Sequence, residues 1–170
     1  GSHKLLNLNG INSAYIGTLV FNKNYKRIKN LRNTTPNLVE IYILINFAEK
    51  FNCKYIFLET SSIGYKQGRL GSLKYDICFL TNLKSNHLDY HKSLKNYHLS
   101  KIEMIKEHAK NNSKIFIQDC KILDKYFKTS KNAISQRDFI ENKGLNIIKD
   151  KETKFSININ NNKYKIYAHN

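Results

Sequence analysis

The strongest constraint on the fold is an alternation: short apolar runs of strand length are separated by stretches with helical periodicity. AYIGTLVF (14–21), KYIFLET (54–60), DICFLT (76–81) and KIFI (114–117) are rich in β-branched and aromatic residues, as buried strands are. Thr35-Pro36 reads as a helix start, with Thr35 as N-cap and Pro36 at the first helical position, where a missing N–H costs nothing. Leu38, Ile41, Leu44, Ile45 and Ala48 follow at spacings of three and four, which places them on one face suited to core packing. Residues 93–110 carry Leu94, Ile102, Ile105 and Ala109 in the same way, and 122–127 lie in a further helix. The polar, basic stretch 22–33 reads as a loop, 61–71 as a glycine-containing turn, and 82–91 as a polar loop. Near the end, 155–159 and 164–167 flank an Asn-rich turn, which predicts an antiparallel hairpin. Together these features predict an α/β fold: a mostly parallel sheet flanked by helices, with the hairpin appended.

Length and composition narrow the class further. The chain has 170 residues, the size of one ordinary domain, and no compositional linker divides it. No apolar run approaches the roughly 20 residues that span a bilayer, so no membrane partner is expected. Gly1-Ser2-His3 reads as the remnant of an expression tag and is set apart from the domain, 4–170. Cys53, Cys78 and Cys120 are odd in number, widely spaced and without a zinc-type pattern, which predicts reduced thiols in a cytoplasmic protein. The net charge of +16 raises the question of nucleic acid. Lysine supplies nearly all of it, the lysines are scattered, and the chain is crowded with Asn and Ile, so the charge is mainly compositional and equally suits an anionic substrate.

In α/β sheets ligands gather at the carboxyl ends of the strands. Polar residues fall there in three places: Glu59-Thr60-Ser61-Ser62, Thr81-Asn82 and Asn86-His87. A carboxylate and an imidazole converging at such an edge could share a divalent cation.

From Ser13 onward the chain resembles the central domain of the Mur ligases, and among them most the MurE type. The stretches that carry the resemblance are SAYIGTL (13–19), NTTPN (33–37), ETSSIGYKQGR (59–69), YDICFLTNLKSNHLDYH (75–91) and NYHLSK (96–101), in matching order and spacing. It thins after about Asp119. The resemblance implies ATP-dependent amide-bond formation, the addition of the third amino acid to a UDP-N-acetylmuramoyl peptide in peptidoglycan synthesis, with Mg²⁺ and ATP as cofactors. It also implies that Thr34, Thr35, Ser61, Gln67 and Arg69 bind that substrate, Arg69 through the two-pronged match of guanidinium to carboxylate or phosphate. Glu59 and His87 match the family's magnesium positions, and Lys101 matches its carbamylated lysine. Carbamylation makes chemical sense of that last position, because Mg²⁺ takes hard oxygen donors and a lysine amine offers none.

Several features depart from the family. No P-loop of the GxxGK[ST] kind occurs, and the family's N-terminal UDP-binding and C-terminal domains have no counterpart, so the chain reads as an inactive fragment of a ligase. Asn86 replaces the usual Asp before the histidine, and Ile63 the common His after the serines. The alternatives are a superfamily ligase of the folylpolyglutamate synthase kind, against which HLDYH and NTTPN argue, and a basic nucleic-acid-binding α/β domain.

Overall fold

The computed structural model describes residues 6–17, 20–23, 26–83, 88–136, 138, 147–149, 154–159 and 162–167. Strand β1 (Ser13–Gly17) pairs in parallel with β4 (Tyr55–Leu58) and antiparallel with β2 (Val20–Lys23), which in turn pairs antiparallel with β3 (Lys26–Asn30). This four-stranded sheet has the order β3-β2-β1-β4. The apolar run 14–21 is therefore two strands and not one. Its division falls at Gly17, which backs onto the Glu59 side chain and ends β1. The stretch 22–33, which reads as a loop, contains β3. Residues 27–30 are all exposed, so this charged segment suits an edge strand wet on both faces.

Helix α1 (Leu38–Lys50) buries Ile41, Leu44 and Ala48, the stripe its spacing predicts. Leu44 and Ala48 pack with Ala14, Ile16 and Leu31, while Ile41 joins Leu70 and Met104. Each buried Leu, Ile or Met among these contributes roughly 1.5–3 kcal/mol by leaving water, and the alanines less. The helix is capped by Asn37, whose side chain accepts from the Glu40 N–H at 2.9 Å, and not by Thr35. Thr35 is engaged elsewhere: its hydroxyl accepts the Ser61 N–H at 2.8 Å. The turn 61–71 contains a short helix, α2 (Ser62–Lys66), capped by Ser61. Helices α3 (Leu88–His91) and α4 (Leu94–His108) follow, so the loop expected up to His91 ends in a helical turn.

These elements make up the first of two compact units, 1–73 with 85–108; the second is 74–84 with 109–170. The chain passes between them three times, without a Pro- or Gly-rich linker to signal the division. In the second unit β5 (Tyr75–Leu80), β6 (Ala109–Ile117) and β7 (Ala133–Ser135) form a parallel sheet in that order. Strand β6 is longer than the KIFI run. The pairing shifts register between Tyr75↔Ala109 and Ile77↔Lys114, so polar residues 110–113 fall within the irregularity. Helix α5 (Lys121–Phe127) buries Leu123 and Phe127. Strands β8 (Ile147–Lys149), β9 (Lys154–Ile159) and β10 (Asn162–Tyr167) form a separate antiparallel sheet. Among the described residues no helix is long and apolar enough to cross a membrane. Cys53, Cys78 and Cys120 are unbridged, and burial pushes the Cys78 thiol pKa up.

Candidate functional site

Most of the segments that carry the sequence motifs lie in the first unit, whereas residues 75–83 belong to the second. Strand β4 ends at Leu58, and the next residue, Glu59, is exposed, with its N–H donating to the Ile16 carbonyl at 2.8 Å. Its carboxylate accepts a hydrogen bond from the Tyr15 hydroxyl at 2.5 Å. Gly17 makes this approach possible, because a Cβ there would lie 2.3 Å from the Glu59 Cβ. The carboxylate is thus held at the strand end by β1 and still open to solvent.

Thr35 ties this corner together. It is 1% exposed, and its hydroxyl accepts the Ser61 N–H while lying 3.2 Å from the Ser61 Oγ and 3.3 Å from the Glu59 carbonyl. Ser61 Oγ in turn accepts the Gly64 N–H at 3.0 Å, capping α2. Gly64 must be small here: a Cβ would meet the Thr35 Cβ at 2.8 Å. Arg69 donates from Nη1 to the Thr35 carbonyl at 2.8 Å, which occupies one of the five donors of its guanidinium. Thr34 is half-buried beside Thr35, and Gln67 is exposed at the C-cap of α2. Of the substrate residues read from the sequence, Thr35, Ser61 and Arg69 are joined by hydrogen bonds, with Thr34 and Gln67 flanking them.

The metal set is less complete. Lys101, half-buried on α4, has its Nζ 4.9 Å from the centroid of the Tyr97 ring. His87 lies outside the described residues, as does Asn86. Thr81 and Asn82 end β5 in the second unit, where the Asn82 amide reaches the Thr81 hydroxyl at 3.5 Å. Among the described residues no group of three or more His, Cys, Asp or Glu converges on one point. In donor chemistry, the exposed Glu59 carboxylate fits Mg²⁺, whereas the Lys101 amine would fit only after conversion to a carbamate.

One buried pair has no forerunner in the sequence reading. Ser62 Oγ and His91 Nε2 lie 2.9 Å apart, with Ser62 2% and His91 6% exposed. Ser100 Oγ donates to the Ser62 carbonyl at 3.5 Å, and Asn96 Nδ2 to the His91 carbonyl at 3.1 Å. The available signal was the second histidine of HLDYH together with the doubled serine, both within the motif stretches. A groove of about 430 Å³ runs along His91 and Asn96, bordered by Lys66 and Glu103, which pair at 2.8 Å.

Residues 3–169 match the family described as the Mur ligase middle domain. The chain is 40% identical over 88 residues to the UDP-N-acetylmuramoyl-L-alanyl-D-glutamate--2,6-diaminopimelate ligase of Helicobacter hepaticus, a stretch covering 52% of this chain and 19% of that protein. It is 30% identical over 155 residues to the protein so named in Buchnera aphidicola, covering 91% of this chain and 27% of the relative. A solved structure of a protein of that name superposes with a TM-score of 0.73 at 20% identity, covering 96% of this chain and 35% of the solved one, a likeness of fold. The chain therefore spans about a fifth to a quarter of the length of these curated relatives.

Proposed function

Because the chain belongs to the Mur ligase middle-domain family, we propose that it supplies part of the central domain of an ATP-dependent ligase that joins the third amino acid to UDP-N-acetylmuramoyl-dipeptide in peptidoglycan synthesis. Residues 4–170 are that part, 1–3 a tag remnant, and the setting is cytoplasmic. The relatives' names make 2,6-diaminopimelate the amino acid to test first. The observation that carries the reading is the hydrogen-bonded corner of Thr35, Ser61 and Arg69. It draws NTTPN and ETSSIGYKQGR together beside an exposed carboxylate.

In this reading Thr34, Thr35, Ser61, Gln67 and Arg69 form the subsite for the UDP-sugar-peptide. Thr35 acts from inside, fixing the Ser61 turn and the Arg69 fork. Arg69 keeps donors for a carboxylate or phosphate, which it matches geometrically. Exposed Gln67 adds an amide that can donate and accept. Glu59, His87 and a carbamylated Lys101 would hold Mg²⁺, which supplies neutralisation of phosphate charge when bound. Tyr15 orients Glu59 for that role. The chain alone is expected to bind and not to turn over, because positioning of the phosphates is most of the catalysis in such transfers.

The test is titration of the 170-residue chain with UDP-N-acetylmuramoyl-L-alanyl-D-glutamate, followed by amide NMR. Saturable shifts in residues 61–69 are expected, and Arg69→Ala should weaken binding about tenfold or more, the scale of a lost charge-assisted hydrogen bond. No saturable binding by the unaltered chain would overturn the reading. Tight duplex binding with a steep salt dependence would instead favour a nucleic-acid partner.

A further inference from the structure

The subsite needs the Ser61 turn held in one conformation, and beside Thr35 a second buried side chain, with no role so far, bears on it. We propose that His91, acting through Ser62, is a positioning residue for the Ser61 turn. The proposal deepens the substrate-subsite reading given above and rests on it for its functional half.

The argument begins with burial. Ser62 opens α2 and is 2% exposed, so its hydroxyl has no access to bulk water and needs a partner inside the protein. That partner is His91 Nε2, at 2.9 Å. His91 is itself fixed. It is 6% exposed, its carbonyl accepts from Asn96 Nδ2, and its ring meets Tyr90 and Tyr97 edge-on at centroid distances of 5.1 and 5.4 Å. Ser100, fully buried on α4, adds a contact from its hydroxyl to the Ser62 carbonyl. Ser62 is thus gripped from both α3 and α4.

Helix α2 has only five residues and cannot stabilise itself, because a single turn does not repay its nucleation. Its first turn depends on the cap from Ser61 to Gly64, on Thr35 holding the Ser61 N–H, and on the Ser62 anchor. The first contact lies within the turn, the second holds it from Thr35 before α1, and the third holds it from His91 on α3. Without His91 the turn loses its anchor on α3, and the hydrogen bonds at the Ser61 and Gly64 amides open more often. The two anchors flank candidate site residues: Ser62 follows Ser61, and Ser100 precedes Lys101.

The experiment compares His91→Leu, His91→Gln and Ser62→Ala in the full 170-residue chain. Gln can return an amide nitrogen or oxygen near the Nε2 position, whereas Leu cannot. Two quantities are measured: hydrogen exchange at the Ser61 and Gly64 amides, and affinity for UDP-N-acetylmuramoyl-L-alanyl-D-glutamate. His91→Leu and Ser62→Ala should speed exchange at both amides about tenfold, with the Glu59 amide just after β4, bonded to the Ile16 carbonyl, unchanged and His91→Gln restoring much of the protection. Substrate affinity should fall in parallel and recover with Gln. If His91→Leu fails to fold, Ser62→Ala decides, because it removes only a hydroxyl at a helical position that tolerates alanine. Exchange that is unchanged, or that rises equally throughout the chain, overturns the proposal. Faster exchange at Ser61 and Gly64 with undiminished affinity overturns it as well. If the unaltered chain binds no substrate, the ligase reading is what fails, and the exchange result still decides whether His91 holds the turn.

Discussion

Both units bury apolar side chains, but among the described residues the first adds a buried polar network. In the first, the buried residues around the candidate site are largely polar and answer one another: Thr35 with Ser61, Ser62 with His91, and Arg69 with the Thr35 carbonyl. In the second, the buried side chains of the sheet and its helix are mostly apolar: Cys78, Leu80, Ile115, Ile117, Leu123 and Phe127. Alternate residues of its first strand, Ile77 and Phe79, remain exposed, Phe79 stacked on Phe116 at 5.1 Å. An apolar core can be filled by many side chains of suitable size. A closed polar network tolerates few changes, because each lost partner leaves a group unsatisfied. The motif stretches gather at the polar corner but also take in β5 of the second unit, and the resemblance thins after Asp119.

Truncation of an apolar side chain in the second unit should produce the largest single effect. Leu123 is fully buried on α5, and Leu123→Ala should cost about 2–5 kcal/mol from lost transfer energy and a residual cavity. Native-state hydrogen exchange is the appropriate reading, since a chain of two units need not unfold in one step. The loss should appear in the amides of β5, β6 and β7 and leave the substrate corner's affinity intact. An equal loss of affinity would break the comparison.

A smaller change should do more harm to function. Thr35→Val keeps volume and burial but deprives the Ser61 N–H of its acceptor, at roughly 1–3 kcal/mol for an unsatisfied buried donor. The protection lost in native-state hydrogen exchange should be smaller than in Leu123→Ala, while affinity for the UDP-sugar-peptide falls more. If the substitution weakens stability and leaves affinity untouched, Thr35 is a structural residue only and the corner is misassigned.

The same division explains what could be read from the residues alone. The apolar strands and the stripe on α1 were legible because burial imposes a period on the sequence. Strand β3 was not, since the edge strand KRIKN has one apolar residue, Ile28, which is itself exposed, and so no apolar alternation to mark it. The end of β1 at Gly17 was hidden because apolar residues continue beyond it, and the close approach that requires a glycine there involves Glu59, more than forty positions away. Thr35 and Asn37 both suit a helix cap, and only the Ser61 N–H decides between them. Glu59, Ser61 and Arg69 were legible through motif order. The Ser62–His91 pair joins residues 29 positions apart, and no periodicity announces such a contact.

The last prediction concerns the outer edge of the first unit, where pairing meets solvent and the effect should be smallest. The Tyr65 hydroxyl donates to Glu107 at 2.7 Å, and its pKa is raised to about 12. Burial is the leading cause, followed by the Glu107 hydrogen bond and charge and then the charge of Glu103. The folded state therefore holds this proton more tightly than the unfolded chain, whose phenol has the ordinary value near 10. By linkage, the contribution of Tyr65 is fully present below pH 10 and is lost as the pH rises from about 10 to 12. Glu107 is 57% exposed, so solvent screening keeps the contribution small. Tyr65→Phe removes the titrating group, and the difference in stability between the unaltered chain and this variant should shrink across that interval in urea titrations. A difference that grows with pH would mean that the phenolate is welcomed in the fold, contrary to a tyrosine set between two carboxylates.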